Sequence, residues 1–114
     1  MSCTIVLMAR DNVIDYVIAC AKQAPQIKEV ILFGSRARGD HHSRSDYDFA
    51  VVVAQWSPGE WAKWSLDLRD QAPTLCGLDL VLIEQGKIAG KADHDLIKAI
   101  KAEGKLIYER QQSK

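Results

Sequence analysis

Asp46-Tyr47-Asp48 stands at the head of an unbroken apolar run, residues 49–54, and this junction constrains the chain more than any other stretch. An apolar run of this length reads as a strand buried towards its C-terminal end, the kind that a sheet flanked by helices provides. Residues two apart in a strand share a face, so Asp46 and Asp48 are held side by side while Tyr47 and Phe49 point the other way. Asp79 occupies a comparable place near the start of a second apolar run, residues 78–83, flanked by Leu78 and Leu80. If the two strands are neighbours, its carboxylate can join the pair.

Two unit charges about 5 Å apart repel by roughly 3 kcal/mol at an effective dielectric near 20, so three convergent carboxylates call for protons or cations. At neutral pH a hard divalent ion with oxygen ligands answers that need, and Mg²⁺ fits best because it takes a few carboxylates completed by phosphate oxygens and water. The alternative is that Asp46 pairs with an arginine of the preceding turn, Asp48 forms a surface ion pair and Asp79 is solvated. Taken one at a time, each aspartate suits that alternative better; taken with the turn before them, they favour a shared site.

The turn reads Gly34-Ser35-Arg36-Ala37-Arg38-Gly39, directly after the short β-prone run 30–33. Gly34 lets backbone amides approach an anion, Ser35 offers a hydroxyl and an amide at the start of a helical turn, and Arg36 and Arg38 supply charge-assisted donors. In chemical terms this is a phosphate cradle. It is not a Walker A loop, because the glycine-to-lysine spacing and the Lys-Ser/Thr pair are missing. A flexible, solvated basic loop is the competing reading.

Around these features the pattern predicts a helix over about 4–23 closed by Pro25, its first residues suiting a short strand equally well, then strands over 30–33 and 46–54. A second helix follows over about 58–71, a strand over 78–83, a helix over 93–103 ended by Gly104, and a last strand over 106–108. The order α-β-β-α-β-α-β implies an α/β (α+β) domain, a mixed sheet of about four strands flanked by helices, occupying residues 1–114 as one unit. Fifteen Lys and Arg balance fifteen Asp and Glu, so no global field draws in a polyanion and no direct nucleic-acid binding is expected. The three cysteines, Cys3, Cys20 and Cys76, lack metal-ligand or disulfide spacing, which fits reduced thiols in a cytoplasmic protein. The apolar residues 5–8 are too soon interrupted by Arg10 and Asp11 to be a signal peptide or a membrane span.

Gly34-Ser35, ten residues, Asp46-x-Asp48 and a third aspartate on a later strand together resemble the signature of the DNA polymerase β nucleotidyltransferase superfamily. Gly-Ser-Arg-Ala-Arg-Gly with Ser45-Asp46-Tyr47-Asp48-Phe49-Ala50-Val51, and the closing run from Glu103 to Glu109, are similar to the minimal nucleotidyltransferases, antitoxins often encoded beside a HEPN-domain partner. The resemblance implies that Gly34 and Ser35 hold a triphosphate, with Arg36 and Arg38 as further phosphate contacts. It implies that Asp46 and Asp48 bind Mg²⁺, two ions in all, and that Asp79 completes the metal site and helps deprotonate an acceptor hydroxyl.

The expected activity is transfer of NMP, AMP from ATP in the first instance, to a hydroxyl of a partner protein, a HEPN ribonuclease toxin. Two other readings stand beside it: a non-catalytic antitoxin acting by occlusion, and a nucleotidyltransferase acting on a small hydroxylated molecule. The pattern leaves room for a homo-oligomer. His41 and His42 read as solvated loop residues, and Trp61 and Trp64, at helical spacing, as core residues or a partner-binding face together with Trp56.

Overall fold

The computed structural model describes residues 11–74, 76–85 and 94–110. The expected start of the first helix and the position of Cys3 lie outside them, as does Asp93. Helix α1 spans Asn12–Lys22 and is started by Asp11, whose carboxylate accepts from the Val13 and Ile14 amides at 2.8 and 3.2 Å. That side-chain cap satisfies two of the amide donors left orphaned at a helix start. Val13, Val17 and Ala21, four apart, form its buried stripe.

Strand β1 (Ile27–Phe33) runs into a single helical turn, α2 (Ser35–Arg38), and then into β2 (Tyr47–Val53). Helix α3 (Pro58–Asp70) has Ser57 as its cap and Pro58 at its first position, where a missing amide hydrogen costs nothing. Strand β3 (Leu78–Glu84), helix α4 (His94–Glu103) and strand β4 (Lys105–Glu109) complete the described chain. The elements follow the expected order, with α2 added, and β1 begins three residues earlier than its sequence suggests. Lys28 and Glu29 hide that early stretch, which a bulge between Ile27 and Glu29 accommodates against β2.

The sheet order is β3-β2-β1-β4, with β1 antiparallel to both β2 and β4 and β2 parallel to β3. This is the mixed, helix-flanked sheet that the sequence implies. Its two faces explain why residues 49–54 are apolar without a break. Phe49, Val51 and Val53 pack with Val17 of α1 and Leu68 of α3, whereas Ala50 and Val52 pack on the opposite face with Phe33, Ile83 and Ile100 of α4. A strand covered on both sides loses the polar-apolar alternation of a half-exposed one. The Tyr16 hydroxyl donates to the Leu68 carbonyl at 2.7 Å and ties α1 to α3.

Trp56, Trp61 and Trp64 form one aromatic group with ring centroids 5.7 to 5.9 Å apart, Trp61 stacked on Trp64 and Trp56 set at an angle to both. Trp56 is buried, and the other two are half-buried against the same core. The packing expected of Trp61 and Trp64 is therefore present, and Trp56 joins it. Among the described residues, no helix is long and apolar enough to cross a membrane.

Candidate active site

Strand β2 opens at Tyr47, so Asp46 stands just ahead of it and Asp48 one residue inside. Asp48 shares the α4 face with Ala50 and Val52, and Tyr47 stacks on Phe49 on the other face at 6.0 Å. Parallel pairing then does what the sequence could state only conditionally: it sets Asp79 directly beside Asp48. Asp46 packs on Gly77, where a Cβ would come within 2.8 Å of Asp46 Oδ1, and the Tyr47 amide donates to the Gly77 carbonyl at 2.9 Å. Gly77 thus closes the gap through which the acidic ends of the two strands meet.

Burial, then the hydrogen bond and charge of Asp79, then the charge of Asp46, push the Asp48 carboxyl up to about 6; Arg38 pulls weakly the other way. A crowded carboxyl that resists ionising is the expected signature of a place that a cation would relieve. Among the described residues, no three His, Cys, Asp or Glu side chains are disposed to hold an ion by themselves. The donor set still fits Mg²⁺, which is usually bound through one or two carboxylates, with substrate phosphates and water completing its shell.

The glycine turn lies against the same pair. Phe33, the last residue of β1, pairs with Asp48, so Gly34 emerges beside the acidic strand. Gly34 has φ +79°, and a Cβ there would overlap Asp48 Oδ2, so glycine is required on two counts. Its carbonyl accepts from the amides of Ala37 and Arg38, both at 3.0 Å, and Gly39, at φ +88°, ends the turn by donating its amide hydrogen to the Ser35 carbonyl at 2.9 Å. Ser35 is the first residue of this four-residue turn and Arg38 its last.

The two arginines are placed differently. Arg36 Nε donates to the Ser45 carbonyl at 3.0 Å, its Nη2 reaches the carbonyls of His42 and Ser43, and its guanidinium lies 4.0 Å over the Tyr47 ring. Arg36 therefore pins the loop that delivers Asp46. Tyr47 in turn donates to Asp11 Oδ2 at 2.9 Å, and burial together with that carboxylate raises its phenol to about 12. Arg38 is exposed; its Nε pairs with Asp40 at 3.0 Å and its Nη1 with both carboxylate oxygens of Glu103 at 3.1 Å. His41 and His42 are exposed loop residues.

Gly77, Tyr47 and Glu103 are site residues that the sequence did not single out. For Gly77 a signal existed, a glycine directly before an acidic strand start; for Glu103 the Glu-Gly pair closing a helix was visible, but its target was not. A cavity of about 450 Å³ opens beside Asp46, lined by Ser43, Arg44, Asp46, Cys76 and Gly77.

Several solved structures share this architecture. A toxin–antitoxin complex with AMP-PNP aligns at 23% identity and a TM-score of 0.65, covering 86% of this chain and 74% of that one. A MntA–HepT toxin–antitoxin structure aligns at 19% identity and a TM-score of 0.58, over 85% of this chain and 70% of that one. A protein from Sulfolobus solfataricus described as a nucleotidyltransferase gives 22% identity and a TM-score of 0.56, over 85% and 77%. At these identities the likeness is one of fold. No curated protein matches in sequence. The sequence model of the polymerase β nucleotidyltransferase family matches residues 15–113, and the chain belongs to that family.

Proposed function

We propose that the protein is a Mg²⁺-dependent nucleotidyltransferase that moves AMP from ATP to a hydroxyl of a partner protein, and that it acts in the cytoplasm as the antitoxin of a HEPN ribonuclease toxin. The observation that carries this reading is the register of Asp48 against Asp79 beside Gly34, which brings two carboxylates and the glycine turn together at one end of the sheet. The toxin–antitoxin neighbours support the choice of partner, the AMP-PNP in one of them supports the nucleotide, and the free thiols of Cys20 and Cys76 support a reducing compartment.

In this reading Gly34 and Ser35 seat the triphosphate, with Arg38 reaching it from the end of α2 and Arg36 holding the loop that presents Asp46. The acceptor oxygen attacks the α-phosphorus in line, a new P–O bond forms as the bond to pyrophosphate breaks, and Asp79 accepts the hydroxyl proton. Asp46, Asp48 and Asp79 would hold Mg²⁺, two ions in all, which would supply charge stabilisation for the entering and leaving oxygens. Asp46 and Asp48 orient that site from a rigid strand rather than a loop.

The test is incubation of the protein with its neighbouring gene product, Mg²⁺ and ATP labelled at the α-phosphate. Label on the partner that disappears with Asp46→Asn supports the reading. A stable complex without label, with the toxin neutralised equally well by the Asp46→Asn protein, would establish an occluding antitoxin instead, and label on a small hydroxylated molecule would move the acceptor away from the partner protein.

A further inference from the structure

The cradle is already engaged by an anion from the chain itself. The Gly34 amide donates to Glu103 Oε2 at 3.1 Å, and Arg38 Nη1 lies 3.1 Å from both oxygens of the same carboxylate. One charged group thus takes a backbone amide and a guanidinium, the two kinds of donor that a phosphate would use. The contact joins positions 69 residues apart and is enforced by packing. Gly104 follows Glu103 without a Cβ because one would overlap the Ile100 carbonyl and come within 2.6 Å of Ile31 Cγ2. With Ile100 buried against the sheet, the end of α4 sits directly over β1 and aims Glu103 at the turn that follows it.

Resting on the nucleotidyltransferase reading, we propose that Glu103 is an internal competitor for the triphosphate: its carboxylate occupies the anion position at Gly34 and Arg38, and nucleotide binds only as it leaves. The charge arrangement points the same way. Arg38 is paired with Asp40 as well as Glu103 and stands near Asp48, so the cradle as folded faces an entering polyanion with its one exposed cation already neutralised. The Glu103 side chain keeps 22% of its exposure, enough for it to swing into solvent.

A site blocked most of the time binds its ligand more weakly by the fraction of time it is open. Glu103→Gln keeps the shape and removes the charge, so ATP and inorganic tripolyphosphate, titrated calorimetrically into the full chain, are expected to bind it about tenfold more tightly than the unaltered protein. The Gly34 amide resonance, followed in the nucleotide-free protein, should move upfield in the same variant as its charged acceptor is lost. Equal or weaker binding by Glu103→Gln, or an unmoved Gly34 amide, overturns the proposal and leaves the nucleotidyltransferase reading standing. ATP bound by neither protein overturns both.

Discussion

Asp48 of β2 and Asp79 of β3 stand opposite one another in a parallel register, and the Asp48 carboxyl is raised to about 6 in consequence of its burial and of that neighbour. A carboxyl raised in the folded state stabilises the protein below its unfolded value near 4, and that contribution is lost as pH rises through about 6. Metal-free protein should therefore melt at a lower temperature at pH 7.5 than at pH 4.5 so far as this group decides. Asp48→Asn should remove the slope and raise the melting temperature at pH 7.5 by about 4 °C, roughly 1 kcal/mol after screening by solvent. Millimolar Mg²⁺ should recover stability in the unaltered protein and not in Asp48→Asn. A thermal shift series over pH, with and without Mg²⁺, checks all three.

Gly34 is the position where backbone and site constrain each other most tightly. Gly34→Ala must hold an alanine at φ +79° and move Asp48 from the space its Cβ needs. The expected loss is about 2–3 kcal/mol or more, the sum of the cost of a positive-φ extended conformation (ψ −161°) that is essentially glycine-only and of local overpacking. Urea unfolding reads it, and a variant as stable as the parent would contradict the geometry.

Arg36 acts through shape as much as charge, since its planar guanidinium lies over Tyr47 while its edge binds loop carbonyls. Lysine keeps the charge but neither the fork nor the stacking. Arg36→Lys should cost about 1–2 kcal/mol of stability and speed amide hydrogen exchange at Ser45 and Asp46. Exchange rates unchanged at those amides would show that the loop is held by something else.

On the far side of the sheet from α4, the Tyr16 hydroxyl bonds the Leu68 carbonyl at 2.7 Å, and burial raises that phenol to about 12. Tyr16→Phe should lose about 1 kcal/mol with transfer activity retained, because the bond joins α1 to α3 and touches no site residue. Leu68→Ala, which empties a side chain only 2% exposed, should lose about 2–5 kcal/mol by the same chemical denaturation.

Much of the scaffold could be read locally. Alternation alone placed Tyr47 and Phe49 opposite Asp48, and the apolar run after it announced a strand covered on both faces. Pro58 opened one helix and Gly104 closed another where short-range chemistry says they should, and the Gly-Ser turn and acidic strand could be matched to a family without coordinates. The start of β1 at Ile27 could not, because Lys28 and Glu29 look like loop residues until β2 and β4 are present to pair with them.

The sequence by itself determined what is encoded within a few residues: the elements, their faces, the acidic pair and the glycine turn, since propensity and periodicity act over one or two turns of chain. Only the tertiary structure decided that β3 lies parallel beside β2, that Gly77 lets Asp46 in, and that Glu103 reaches across 69 residues to the Gly34 amide. Those contacts follow from how helices cover the two faces of the sheet and close the chain on itself, and no local pattern carries that information.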